Sequence, residues 1–148
     1  MKGKHLAALT IALIASSDAA AGTYEWTQGW GMGVFEYSVD DGNANSMIIA
    51  CPSEGFISAD ATINGQSYFS DESSGFDVIV DGVEFSNPFD TDCRVCDANF
   101  RAVFWDAFRN ANNLKLTADG QVINLPTKNL RELLSPLNDP TNACHSAW

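Results

Sequence analysis

Pairs of turn-forming residues divide this chain into short segments, and they constrain its fold more than any other feature. Asn64-Gly65, Asp81-Gly82 and Asp119-Gly120 each separate two runs that are rich in strand-forming residues. Such dipeptides accept the positive φ angles that a two-residue hairpin turn requires. The sequence therefore predicts successive antiparallel hairpins, and successive hairpins favour a meander.

The strands follow from runs of β-branched and aromatic residues. A further hairpin is predicted where the polar residues 40–43 interrupt two such runs. The alternating glycines of Gly29–Gly33 lack the spacing and context of a dinucleotide-binding loop, so they are interpreted as a flexible or closely packed strand entry. The predicted strands are 34–39, 47–51, 56–63, 66–69, 76–80, 83–85, 114–117 and 122–125.

Apolar residues at helical spacing predict two helices. The longer helix has Asp97 available as its N-cap and carries one apolar face, formed by Phe100, Val103, Phe104, Ala107, Phe108 and Ala111. The shorter helix begins at Thr127 and ends before Pro136, with Leu130, Leu133 and Leu134 on it. Together these elements predict a single α+β domain, in which an antiparallel meander or sandwich-like sheet carries two packed helices.

Tryptophans offer two interpretations at this stage. Trp105 lies off the predicted apolar face of the longer helix, and Trp26 and Trp30 precede the first predicted strand. Each is either a surface anchor for a partner or a side chain that completes the edge of the core.

The N-terminal residues have the pattern of a secretory signal peptide. Lys2 and Lys4 precede the apolar run 6–15, and the small residues 19–21 provide a cleavage site. Cleavage after Ala21 leaves residues 22–148 as one domain, and no segment approaches the length needed to span a bilayer. We therefore expect a periplasmic or secreted protein without membrane insertion.

Four cysteines remain after the signal peptide, and in an exported chain they predict two disulfides. Three pairings are open, and we favour Cys93 with Cys96 and Cys51 with Cys144, because the second bridge ties the C-terminal tail to an early strand. The alternative gives Cys93 and Cys96 separate distant partners. A redox-active Cys93-Arg94-Val95-Cys96 motif and a zinc site from all four thiols are weaker interpretations, since acidic neighbours oppose thiolates and the compartment is oxidising.

Acidic residues are concentrated in the first half of the predicted mature domain. Residues 22–97 contain fourteen Asp and Glu against the single basic residue Arg94, whereas residues 98–148 are nearly balanced. This distribution argues against nucleic acid and anionic lipid as partners and favours a basic protein.

Residues that support catalysis are scarce. After the signal peptide the sequence has one histidine, His145, close to its end, so the expectation is a protein that is not an enzyme and needs no cofactor or metal. The segment Asp41-x-Asn43-x-Asn45 partly resembles a calcium loop but lacks the glycine and the glutamate of that motif, so an ordinary polar turn is the simpler interpretation.

The segment 67–75 is predicted to be an exposed binding loop. Aromatic residues lead into an acidic, serine-rich tip, a composition that combines an anchor with electrostatic steering. The predicted partner-binding residues are Tyr68, Ser70, Asp71, Glu72, Ser73 and Ser74.

In its layout the chain resembles small periplasmic inhibitor and immunity proteins. The likeness rests on the export signal, the acidic domain, the cysteines before a helix and the late Leu-rich helix followed by Cys144. It is nearest to immunity proteins of peptidoglycan-cleaving type VI secretion effectors, and second to invasion-associated locus B-like envelope proteins. The first resemblance implies inhibition of a basic peptidoglycan-degrading effector or lysozyme-like enzyme, with residues 70–75 inserted into its active site. The alternatives are a periplasmic thiol-disulfide protein that uses Cys93 and Cys96, and a structural envelope protein.

Overall fold

The computed structural model describes residues 24–148, so the predicted signal peptide lies outside the described residues. The N-terminal half forms a five-stranded antiparallel meander in the order β1-β2-β3-β4-β5. Its strands are β1 (Thr27–Gly31), β2 (Val34–Asp40), β3 (Ser46–Pro52), β4 (Ser58–Ile63) and β5 (Gln66–Phe69). The predicted hairpins β2–β3 and β4–β5 are confirmed.

Strand β1 is the element that the sequence interpretation did not identify. Residues 27–31 pair with β2, and Met32 and Gly33 make the turn with φ angles of 51° and 79°. The segment interpreted as a flexible or closely packed strand entry is therefore a regular hairpin. Its turn signal was hidden because Met rarely adopts a positive φ, unlike the Asn and Asp residues of the other turns.

A second, four-stranded antiparallel sheet has the order β7-β6-β8-β9. Its strands are β6 (Asp77–Val80), β7 (Val83–Phe85), β8 (Leu114–Ala118) and β9 (Gln121–Leu125). The predicted turns at Asp81-Gly82 and Asp119-Gly120 are confirmed, with all four residues at positive φ. The chain leaves this sheet after β7 and returns at β8, and the intervening segment contains the longer helix.

That helix, named the aromatic helix here, covers residues 94–109 in three consecutive parts. They are α1 (Arg94–Asn99), a π-helical segment (Phe100–Phe104) and α2 (Trp105–Arg109). The predicted N-cap at Asp97 is wrong. Cys93 is the N-cap, and its Sγ accepts a hydrogen bond from the Cys96 backbone N–H, which places Asp97 inside the first turn.

The π-helical segment also changes which side chains face the core. The backbone N–H of Trp105 bonds to the carbonyl of Phe100, five residues earlier, so the turn is wider than that of an α-helix. As a result Trp105 is 1% exposed, as the core-edge interpretation expects, and Val103 is 60% exposed, so its predicted place on the apolar face is wrong. Of the four tryptophans, Trp26 and Trp105 are core residues, and Trp30 and Trp148 are exposed.

The predicted second helix is real but shorter. It is α3 (Leu130–Leu133), preceded by Asn129 at a left-handed φ of 65°. Thr127 does not cap it with its side chain, since the turn is closed by the Thr127 carbonyl, which accepts from the Leu130 N–H. Leu130 and Leu134 are buried, so the apolar face of this segment packs as expected.

One hydrophobic core joins both sheets and the aromatic helix. Phe89 lies at its centre and is fully buried, with ring centroids 5.0 Å from Phe104, 5.3 Å from Phe108 and 5.7 Å from Phe100. The architecture is thus α+β, with two antiparallel sheets that share an aromatic interior.

Two disulfides, Cys93–Cys96 and Cys51–Cys144, confirm the favoured pairing. The second joins β3 to the C-terminal tail across 93 positions of sequence. Among the described residues 24–148, no helix is long and apolar enough to cross a membrane.

Candidate functional site

Carboxylates from two loops meet at a small depression that we name the acidic cleft. It has a volume of about 250 Å³ and lies between the loop before β4, the loop after β5 and the loop before the aromatic helix. Its lining residues are Phe56, Ile57, Ser58, Ser70, Asp71, Phe89, Asp90, Thr91 and Asp92. Three aspartates that are up to 21 positions apart in sequence therefore surround one depression.

The walls of the acidic cleft are fixed by hydrogen bonds. The buried Thr91 hydroxyl donates to the Ile57 carbonyl at 2.7 Å, which ties the loop before the helix to the loop before β4. The Ser70 hydroxyl accepts from the Ala59 N–H at 2.9 Å, and the Ser70 carbonyl accepts from the Asn87 side chain at 2.9 Å. These contacts fix the loops that carry the three aspartates.

The negative charge extends from the cleft onto the outer face of the five-stranded sheet. Asp60 on β4 lies near Asp71 and Glu36, and its pKa is raised above the ordinary value of 3.8. Partial burial is the main cause, and the two neighbouring carboxylates add to it. Like charges are thus held close enough to oppose one another, which a cation bound between them would relieve.

Two exposed aromatic rings border the acidic cleft. Phe56 lies in its lining, and the ring of Trp148 packs on Phe56 with centroids 5.6 Å apart. Trp148 also donates to the Thr91 carbonyl at 3.2 Å, and the Arg94 guanidinium lies 5.3 Å from the centre of its ring. The end of the chain thereby contributes an aromatic surface beside the aspartates.

One disulfide and one hydrogen bond hold the C-terminal tail in this position. Cys144 is bonded to Cys51, and Ser146 donates to the Asp97 carboxylate at 2.6 Å. Asp97 in turn pairs with Arg101 at 3.1 Å. The aromatic border therefore depends on the long-range disulfide.

The predicted binding loop is only partly available to a partner. Tyr68 and Ser70 are buried, so the expectation that they contact a partner directly is corrected. Tyr68 points inward from β5, where its hydroxyl donates to Asp119 at 3.1 Å, and Ser70 is held by the contacts given above. Asp71, Glu72, Ser73 and Ser74 are exposed and form the tip beside the acidic cleft.

A second depression, named the apolar cleft here, adjoins the local disulfide. It has a volume of about 520 Å³ and lies between β7, the following loop and the aromatic helix. Its lining residues are Glu84, Phe85, Ser86, Asn87, Pro88, Asp90, Cys96, Asn99, Phe100, Val103 and Phe104. Asp90 lines both clefts, so they are neighbours on the surface.

The polar turn that partly resembled a calcium loop is closed by its own side chains. The Asp41 carboxylate accepts from the backbone N–H groups of Asn43 and Asn45 at 2.7 and 3.1 Å, and from the Asn45 side chain at 2.8 Å. The polar side chains of this segment therefore stabilise the hairpin turn itself.

A family model described as YfjT matches residues 24–134, which is three quarters of the chain. The chain belongs to the YfjT family. No curated protein and no solved structure matches it. The YfjT match contains both sheets, the aromatic helix and all residues that line the two clefts, and it ends before Cys144 and Trp148. The family description states no activity or partner, so a function has to be argued from this chain's residues.

Proposed function

We propose that this YfjT-family protein is an exported, disulfide-bonded binding protein that inhibits a basic peptidoglycan-cleaving enzyme. The observation that carries the proposal is the acidic cleft, where Asp71, Asp90 and Asp92 lie beside the exposed ring of Phe56. A Lys or Arg side chain of a partner matches both parts of such a site, since carboxylates pair with its charge and aromatic faces attract cations.

The volume of the acidic cleft supports a side chain as its occupant. About 250 Å³ admits one basic side chain of a folded partner, while the surrounding surface contacts the partner around it. Asp71 and Glu72 belong to the exposed tip next to the cleft, so the tip approaches the partner together with the cleft. Blocking of an active site would follow if the captured basic residue borders the partner's substrate groove.

Electrostatics supports attraction over a longer range as well. Fourteen acidic residues against one basic residue in 22–97 create a negative field, and such a field accelerates encounters with a basic protein. The two disulfides are compatible with export to an oxidising compartment, and the periplasm is where a peptidoglycan-cleaving target would be met.

The test is binding to a panel of basic peptidoglycan-cleaving enzymes, including a lysozyme, measured as association and dissociation rates over a salt series. We expect binding that weakens as salt rises, and loss of hydrolase activity on cell-wall substrate in the complex. Replacing Asp71 and Glu72 by lysine should slow association strongly, because it reverses the sign of two charges beside the cleft.

The matched control is lysine at Asp106 and Glu132, two exposed acidic residues on α2 and α3. This variant has the same net charge, so a general charge effect would slow both variants equally and contradict a specific acidic surface. Absence of binding to every basic hydrolase at low ionic strength would reject the proposal. Recovery of a wall polymer in place of an enzyme would favour the structural envelope alternative.

A further inference from the structure

We propose that the Cys93–Cys96 disulfide is a thiol-exchange site, which oxidises cysteine thiols of an extended polypeptide segment held in the apolar cleft. This inference is independent of the acidic cleft and of its proposed partner. It rests on the place of Cys96 in the lining of the apolar cleft, on that groove itself and on the contrast with the second disulfide.

Cys96 lines the apolar cleft, together with Phe85, Phe100 and Val103. A segment that lies in this groove brings its own thiolate to the Cys96 sulfur from the open side. Phe85 and Val103 offer apolar surface to the residues around the incoming cysteine, and Glu84 and Asp90 at the rim favour basic ones. The substrate class is therefore an unfolded or extended chain with a cysteine among apolar and basic residues.

Attack at Cys96 makes Cys93 the leaving group. A backbone hydrogen bond stabilises the negative charge that then forms on the Cys93 sulfur. The Cys93 Sγ accepts a hydrogen bond from the Cys96 backbone N–H at 3.0 Å. Hydrogen bonds to a thiolate stabilise it, and a better leaving thiolate speeds exchange. Asp97 opposes this charge less than the sequence suggests, because it is paired with Arg101 at 3.1 Å.

The exchange is balanced in electrons and protons. A substrate thiolate bonds to Cys96 Sγ while the Cys93–Cys96 bond breaks and its electron pair leaves on Cys93. A second thiolate of the substrate then attacks the substrate sulfur of the mixed disulfide, and Cys96 leaves as a thiolate. The substrate gains one disulfide, and the two cysteines of the protein take up the two protons that the substrate thiols release.

The two disulfides differ in their accessibility to an external thiol. Cys51 and Cys144 are both buried, and their bridge can be attacked only after the tail is displaced. Cys93 and Cys96 are partly exposed and three positions apart, so exchange there requires no unfolding. Selective reactivity of the local disulfide in the folded protein is the first expectation.

The first experiment equilibrates the native protein in glutathione buffers of graded redox potential, followed by alkylation and peptide mass spectrometry. We expect alkylation at Cys93 and Cys96 while Cys51 and Cys144 remain bonded and the circular dichroism spectrum is unchanged. Reduction of both disulfides together, or of neither before unfolding, would overturn the proposal and leave Cys93–Cys96 as a structural bridge.

The second experiment tests the groove with a synthetic peptide that carries two cysteines among leucine and lysine residues. The oxidised protein should oxidise this peptide, and the trapped mixed disulfide should map to Cys96. Val103→Asn should slow peptide oxidation by about tenfold, because it removes apolar surface from the groove without adding a charge, while reaction with glutathione stays unchanged.

Val122→Asn is the matched control, since Val122 is a similarly exposed valine on β9 outside the apolar cleft. The same slowing in both variants, or slowing of glutathione and peptide alike, would contradict a peptide-binding role of the cleft. A peptide oxidised no faster than glutathione would contradict it too.

Discussion

The aromatic interior around Phe89 and the acidic cleft above it share a loop, but they differ in solvent exposure, in charge and in the interactions between their side chains. Phe89 is 0% exposed and packs on three phenylalanines of the aromatic helix, whereas the next residue, Asp90, lines the surface. The interior is stabilised by burial and ring packing, while the cleft assembles like charges that oppose one another. The difference teaches that fold stability and binding chemistry reside in adjacent residues and can be changed separately.

The two disulfides also differ in burial and in the length of the loop that they close. Cys51–Cys144 is buried and closes a long loop, so it restricts the unfolded chain and positions the tail. Cys93–Cys96 closes a short loop beside the apolar cleft, and its loss releases little chain entropy. The first is therefore expected to serve stability, and the second is free for chemistry.

Phe89→Ala tests the interior most directly. We expect a loss of about 3–5 kcal/mol in the free energy of unfolding, because a buried ring is replaced by a cavity among aromatic neighbours. Phe56→Ala is the control with the same change at a ring that is 40% exposed, and it should cost far less while weakening partner binding. Denaturant unfolding measures both, and equal losses would break the distinction between the two regions.

Removal of the two disulfides should show the next largest difference. Cys51→Ala with Cys144→Ala should lower the free energy of unfolding by about 2–5 kcal/mol and free Trp148 from its position beside Phe56. Cys93→Ala with Cys96→Ala should cost clearly less. Thermal unfolding and tryptophan fluorescence test this order, and the reverse order of stability would contradict it.

The smallest expected effect concerns the carboxylates. Asp60 should titrate above 3.8 in the folded protein, because burial and the charges of Asp71 and Glu36 favour its proton. A raised folded-state pKa means that ionised Asp60 destabilises the fold at neutral pH, and that this cost disappears as the pH falls below 3.8.

Carbon-detected NMR titration of the side-chain carboxyls measures the Asp60 pKa directly. Asp71→Asn should lower it, since one opposing charge is removed, and Asp106→Asn on α2 should leave it unchanged. A pKa of Asp60 at or below 3.8 would show that the carboxylates do not interact as the structure places them.

Much of the fold followed from local chemistry. Asn-Gly and Asp-Gly turns fixed three hairpins because their positive φ angles depend on neighbouring residues alone. The turn at Met32-Gly33 escaped prediction because Met gives no such local signal. The prediction of Val103 on the apolar face of the aromatic helix is wrong because the π-helical hydrogen bond from Trp105 to Phe100 widens the turn that contains it.

The candidate site was less predictable than the fold. The acidic tip at Asp71 and Glu72 was visible as a charged turn, but nothing in the sequence places Asp90 and Asp92 against it. Their meeting depends on the Thr91 bond to Ile57, which joins loops 34 positions apart. The prediction of Tyr68 as a surface anchor is wrong because alternation along a strand does not reveal which face is buried until the second sheet is in place.

By itself, the sequence determined the succession of hairpins, the concentration of acidic residues in residues 22–97 and the supply of four cysteines, because these depend on residue type and short spacing. Only the tertiary structure decided that three aspartates and two aromatic rings border one cleft and that Cys96 faces another. The physical reason is that these long-range contacts form only when the two sheets and the helix bury their apolar faces together. A short stretch of sequence does not specify which distant residues then become neighbours.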